Sequence, residues 1–133
     1  MLTKKIIFLL CLLPLVALAK PILTEEIEIP LTPKEYISLY APNKAIEKEL
    51  LKVASCESNF KPNAINYHDG GKGKHSFGIF QYQESTFLAF SKLFGEELDY
   101  YSYHDQIKLT AWIFAKHPEL KDRWTCSKIM KVI

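Results

Sequence analysis

The chain of 133 residues reads as a mainly α-helical domain carrying one small irregular β-hairpin, and three observations predict it. Apolar residues recur at helical steps of three and four in separate stretches near 46–57, 87–94 and 107–114. Four of the five glycines fall in one stretch, 63–83, that lacks this period. An even pair of cysteines, Cys56 and Cys126, remains once an N-terminal leader is set aside, and if bridged it pins the first long helix to the C-terminal segment.

The leader comes first. Lys4 and Lys5 precede an apolar run from Ile6 to Leu18, and Ala17-Leu18-Ala19 puts small residues where a signal peptidase reads. Cleavage after Ala19 is expected. A retained anchor is the weaker alternative, because Pro14 interrupts the run and it falls short of the roughly 18 apolar residues that suggest a bilayer span. Cys11 follows Leu10 where lipidation needs a small residue, so no lipid anchor is expected. Residues 20–33, rich in Pro and Glu, read as a tether. The division is therefore a signal peptide at 1–19, a tether at 20–33 and a domain at 34–133.

Within the domain, Tyr36, Ile37, Leu39 and Tyr40 make a short helix stopped by Pro42. Asn43 is the N-cap of the main helix, Lys44 to about Ser58. Asp69-Gly70-Gly71-Lys72-Gly73 is a turn by composition, with Asn66-Tyr67 before it and a second arm, Ser76 to Gln81, that alternates between two faces. A helix from Glu84 carries Phe87, Phe90 and Phe94 on one side, with Leu88 and Leu93 beside them, and stops at Gly95. Ser102 with Asp105 resembles a capping box opening a helix to about Lys116, apolar on nearly all sides and hence central. Trp112 on it is expected to be core. A last short segment carries Trp124 and Cys126.

The leader takes two of the 17 basic residues and none of the 15 acidic ones, so the exported chain is formally neutral. That argues against a nucleic-acid protein, whose footprint is basic, and against strong attraction to anionic membranes. No stable membrane insertion is expected after cleavage, and the domain is taken as a monomer acting in the periplasm, the cell envelope or outside the cell. Cys56 and Cys126 in an exported chain read as one disulfide, closing a loop of about 70 residues and contributing about 4 kcal/mol in the chain-entropy model. Two unpaired buried thiols are the alternative.

Glu57 is the residue that points to chemistry. It continues the row Ile46, Leu50, Val53, so a carboxyl sits on the face turned to the core. Burial raises the pKa of a carboxyl and makes it usable as a general acid near neutral pH. The plainer reading is a helix end fraying into water before Pro62. Other chemistries fit poorly. Gly71-Lys72-Gly73-Lys74 has His68 where a phosphate loop needs its first glycine, and His75 where it needs Ser or Thr. His68, His75, His104 and His117 lack metal-ligand spacing and read as surface histidines, so neither a metal nor an organic cofactor is expected. Ser58 and Ser76 have no nucleophile-elbow glycines. Seven tyrosines and two tryptophans are available for stacking on sugar rings, or for the core.

Glu57-Ser58-Asn59-Phe60-Lys61-Pro62-Asn63-Ala64, then Ser76-Phe77-Gly78-Ile79-Phe80-Gln81, then Ser85-Thr86-Phe87, resembles the soluble lytic transglycosylase domain of the lysozyme-like superfamily. The resemblance implies an α+β lysozyme-like fold whose hairpin lines a glycan groove. It also implies that Glu57 is the acid/base on the β-1,4 bond between N-acetylmuramic acid and N-acetylglucosamine of peptidoglycan, and that Ser76, Gly78 and Gln81 line the groove. Tyr67 and Asp69 on the same hairpin are added as substrate-binding candidates. Two departures stand out. The family's later Ala-Tyr-Asn-Ala-Gly motif has only Tyr100-Tyr101-Ser102-Tyr103 as a loose substitute, and Glu84 stands where a proline is usual before the Thr. Asp69 is either a turn former, the preferred reading, or a second catalytic carboxylate as in true lysozymes. The rival classes are a glycan-binding module without chemistry and a small secreted protein with a structural or inhibitory role.

Overall fold

The computed structural model describes residues 29–131, apart from 70 and 72. The expected signal peptide and most of the tether lie outside the described residues.

Helix α1 spans Pro33–Tyr40. Thr32 caps it, accepting from the Glu35 N–H while the Glu35 carboxylate accepts from the Thr32 N–H at 2.7 Å. Pro33, placed in the tether by composition, is the first helical residue, where its missing N–H costs no hydrogen bond. Helix α2 runs Lys44–Ser58, and the Asn43 side chain accepts from the Ile46 N–H at 3.0 Å. It ends in a left-handed turn, with Asn59 at φ 51° and Phe60 at φ 60°.

The hairpin is shorter than its alternation suggested. Strand β1, Ile65–Asn66, pairs antiparallel with β2, Ser76–Phe77, in the register Ile65 to Phe77 and Asn66 to Ser76. Residues 78–81 are no strand: Gly78 at φ 88° and Gln81 at φ 50° fold them into a tight turn closed by an isolated bridge between Phe77 and Tyr82. The turn, rather than the alternation, decides where the side chains go, so Ile79 and Phe80 are both fully buried.

Helix α3, Glu84–Phe94, buries Phe87 and Phe90 and stops at Gly95, φ 86°. Leu88 and Leu93 on its outer side are exposed. Helix α4, Tyr103–Lys116, is the central one, with Ile107, Leu109, Ala111, Ile113 and Phe114 buried. Half of its expected capping box forms. Ser102 accepts from the Asp105 N–H, but the Asp105 carboxylate turns to the Asp99 N–H and to His104. A 3-10 helix, Pro118–Arg123, and α5, Thr125–Lys131, are the last elements of the described residues. Around α4 pack α1, α2, α3 and the 3-10 helix, and each large apolar side chain fully buried there contributes about 1.5–3 kcal/mol.

Two histidines expected on the surface are half-buried instead. His104 accepts or donates at Tyr40 Oη, 2.5 Å away, and so ties α1 to α4, while the His117 ring packs on Trp112 at 4.7 Å. Trp112 itself is half-buried, against Phe94. Gln106 is a fully buried amide in the first turn of α4. Its Nε2 donates to Tyr100 O at 2.8 Å and Phe77 O at 3.3 Å, so it fastens the hairpin to the central helix. Cys56 and Cys126 are joined, with 6.0 Å between their Cα atoms. No helix among the described residues is long and apolar enough to cross a membrane.

Candidate active site

Glu57 is the penultimate residue of α2, and the local fold there leaves it little freedom. The next side chain, Ser58, is buried and its hydroxyl donates to Ile79 O at 2.8 Å and to Ala54 O at 3.2 Å. The last turn of the helix is thus hooked onto the 78–81 turn. Glu57 stands beside that hook, half-buried, at one side of a cleft.

Several separate parts of the chain line the cleft. Tyr82, Phe90 and Trp124 form its apolar floor. Gln81, Gln83 and Thr86 come from the turn and the start of α3, and Arg123 and Thr125 from the far end of the chain. Asp69 completes the rim from the hairpin loop. Trp124 is fixed in place by its indole N–H, which donates to Phe80 O at 2.9 Å. Tyr82 is fixed by a 2.7 Å bond between its hydroxyl and that of Thr110.

Burial pushes the Glu57 carboxyl above the usual carboxylate range, and the negative charge of Asp69 pushes the same way. The Cys126 N–H, donating to Glu57 Oε1 at 3.3 Å, opposes them. Burial is the largest of the three influences, so the net direction is upward. A half-buried carboxyl whose pKa is raised, at the edge of an open cleft, is suited to give a proton to a bound oxygen and to take one back.

The other sequence candidates take different positions. Gln81 lines the cleft, and its Nε2 donates to Ala64 O at 3.0 Å and Gly78 O at 2.8 Å, which braces the left-handed turn it occupies. Asp69 lines the cleft too, but Ser76 stands behind it: the Ser76 side chain is fully buried and its hydroxyl donates to Asp69 Oδ2. Gly78 meets Gln106 rather than the cleft, for a Cβ there would fall 2.6 Å from the Gln106 amide carbon. Tyr67 is exposed on the hairpin, its ring 6.5 Å from that of His75 and outside the cleft. The Tyr100 and Tyr103 hydroxyls donate to Tyr82 O and Leu31 O, respectively, and not to Glu57. Among the described residues no group of three or more His, Cys, Asp or Glu could hold a metal ion.

Arg123, Thr125 and the Cys126 amide are not candidates by sequence. One signal for them exists: a bridge from Cys56 to Cys126 must bring the neighbours of Cys126 alongside the neighbour of Cys56, which is Glu57.

Compared with known families, residues 35–118 match the model described as the transglycosylase SLT domain. Comparison with curated proteins and with solved structures gives no match. The matched segment contains Glu57, Asp69 and Gln81 and ends before Arg123, Thr125 and Cys126.

Proposed function

We propose that this chain, which belongs to the transglycosylase SLT domain family, cleaves the bond between N-acetylmuramic acid and N-acetylglucosamine with Glu57 as its single catalytic acid and base. The family's chemistry is transglycosylase-type cleavage of peptidoglycan. The observation that carries the finer assignment is the half-buried Glu57 carboxyl, inclined to keep its proton and set in the wall of a polar cleft.

In the proposed reaction the glycan lies across the cleft, and protonated Glu57 gives its proton to the glycosidic oxygen as the bond to C1 breaks. The resulting Glu57 carboxylate then takes the proton of the muramic 6-hydroxyl as that oxygen bonds to C1. No water is consumed, Glu57 ends protonated, and the product carries a 1,6-anhydro ring. No metal or cofactor enters this scheme. Peptidoglycan lies outside the cytoplasm, which accords with the export signal expected at 1–19.

Mass analysis of muropeptides released from purified sacculi tests the reading. Products lighter by one water than their hydrolytic counterparts are expected, and hydrolytic products overturn it. A second reading has an observation of its own in its favour. Asp69 lines the same cleft, held by the buried Ser76 hydroxyl, as a stabilising or nucleophilic carboxylate of a muramidase would need to be. It requires reducing-end products and an inactive Asp69→Asn variant.

A further inference from the structure

Two bonds join the same two segments at the site. The disulfide links Cys56 to Cys126, and the hydrogen bond links Glu57, the next residue, to the Cys126 N–H. We propose that the disulfide is a latch, openable by thiols, that positions Glu57 and closes the cleft wall, so that reduction disables the site without unfolding the domain. The inference rests on reading Glu57 as the catalytic acid. Cys56 and Cys126 are then positioning residues, acting through Glu57 and Thr125.

The packing makes the latch local. The apolar core ends at Trp124, whose ring sits against Tyr82, Phe90 and Phe114 and whose N–H is bonded to Phe80 O. Beyond it, Cys126 and Ser127 are the buried residues of 125–129, and α5 packs mainly on α2 and the 3-10 helix. Opening the disulfide therefore frees the chain from Thr125 onward while Trp124 stays pinned. What leaves with it is the Cys126 N–H and the Thr125 side of the cleft. A misplacement of about 1 Å in a catalytic group can cost as much as 10²-fold in rate.

The bond is also reachable. Cys56 is exposed and shares a surface hollow with Lys48, Leu51, Lys52, Ser55 and Phe60. Lys48 and Lys52 form no ion pair among the described residues, and ammonium groups beside a disulfide favour the thiolates of exchange. A dithiol reductant attacks Cys56 Sγ as thiolate, the sulfur–sulfur bond breaks, and Cys126 leaves as a thiolate that takes up a proton. The second thiol of the reductant then closes on the mixed disulfide and releases Cys56. Two electrons and two protons pass to the protein, and the reductant becomes a cyclic disulfide.

The test compares oxidised protein with protein reduced by dithiothreitol, using far-UV circular dichroism, turnover of soluble glycan strands, and the NMR shift of the Cys126 amide across pH. In the oxidised protein that shift should follow a titration that vanishes in Glu57→Gln. On reduction the helical signal should persist, turnover should fall by about 10-fold to 10²-fold and return on reoxidation, and the amide should cease to follow Glu57. Turnover kept within two-fold, cooperative loss of the whole fold, or an oxidised Cys126 amide indifferent to Glu57 each overturns the latch. An oxidised protein as inactive as Glu57→Gln defeats the catalytic reading instead, while the amide titration still decides whether the disulfide governs the carboxyl.

Discussion

Replacing Gly78 by Ala separates a glycine held by the fold from one held by a substrate groove. Gly78 sits at φ 88°, where an L-residue costs about 1–3 kcal/mol of backbone strain. The new Cβ would lie 2.6 Å from the Gln106 amide carbon, so that amide has to move. It has nowhere to go: Gln106 is fully buried and its Nε2 is already shared between Tyr100 O and Phe77 O. Displacing it leaves at least one buried carbonyl unmet, at about 1–3 kcal/mol. The expected loss is about 4 kcal/mol in all, read as the shift in urea unfolding followed by tryptophan fluorescence. A double-mutant cycle isolates the clash. In a Gln106→Ala background only the strain should remain, so the two substitutions should fall short of additivity by about 1–3 kcal/mol. A loss below about 1 kcal/mol for Gly78→Ala, or additivity within about 0.5 kcal/mol, would refute the argument and return Gly78 to the groove.

Glu57→Gln should lower turnover of glycan strands by about 10²-fold or more with circular dichroism unchanged, since it keeps shape and polarity but removes the proton. The same variant carries a stability signature. Because the Glu57 pKa is raised in the folded state, its favourable contribution is complete below the ordinary carboxyl pKa and is lost as pH rises through the raised value. Glu57→Gln should therefore melt with the wild type in acid and above it at alkaline pH, as thermal scans across pH will show. Asp69→Asn removes a charge that helps Glu57 keep its proton, so the basic limb of the pH–rate profile should move to lower pH while most activity at the optimum survives; an unmoved limb argues that the two groups do not communicate. Ser58→Ala leaves Ile79 O without its 2.8 Å donor and should cost about 1–3 kcal/mol in urea unfolding.

Helical periodicity makes α2, α3 and α4 legible in the residues alone, because a stripe that must be buried writes itself at steps of three and four. Asn43 and Ser102 are legible as caps for the same local reason. The second hairpin arm is not, because its fate depends on a left-handed Gln81, and nothing in residue type alone announces a non-glycine there. Gln106 reads as one polar residue in an apolar helix, although it fastens the hairpin to the core. In the site, Glu57 stands out because a carboxyl breaks an apolar row. Ser76 stands out only through the family motif, and its place behind Asp69, buried, follows from the hairpin's pairing rather than from its neighbours in sequence. Arg123 and Thr125 reach the cleft by long-range closure, which local pattern does not encode.

The cleft therefore has an order of arrival. Glu57 and its partner amide at Cys126 are 69 residues apart in the chain, and Arg123 and Thr125 stand just before that amide. A polypeptide emerging from its N-terminus presents the helix that carries Glu57, the hairpin and every recognisable motif well before it presents the Arg123–Thr125 wall of the cleft. Cut at residue 118, where the family match ends, the chain would hold all of those motifs and lack Trp124, the floor residue that holds Phe80 O. Closure of the cleft thus waits on residues 123–126, which fold back over a segment made much earlier.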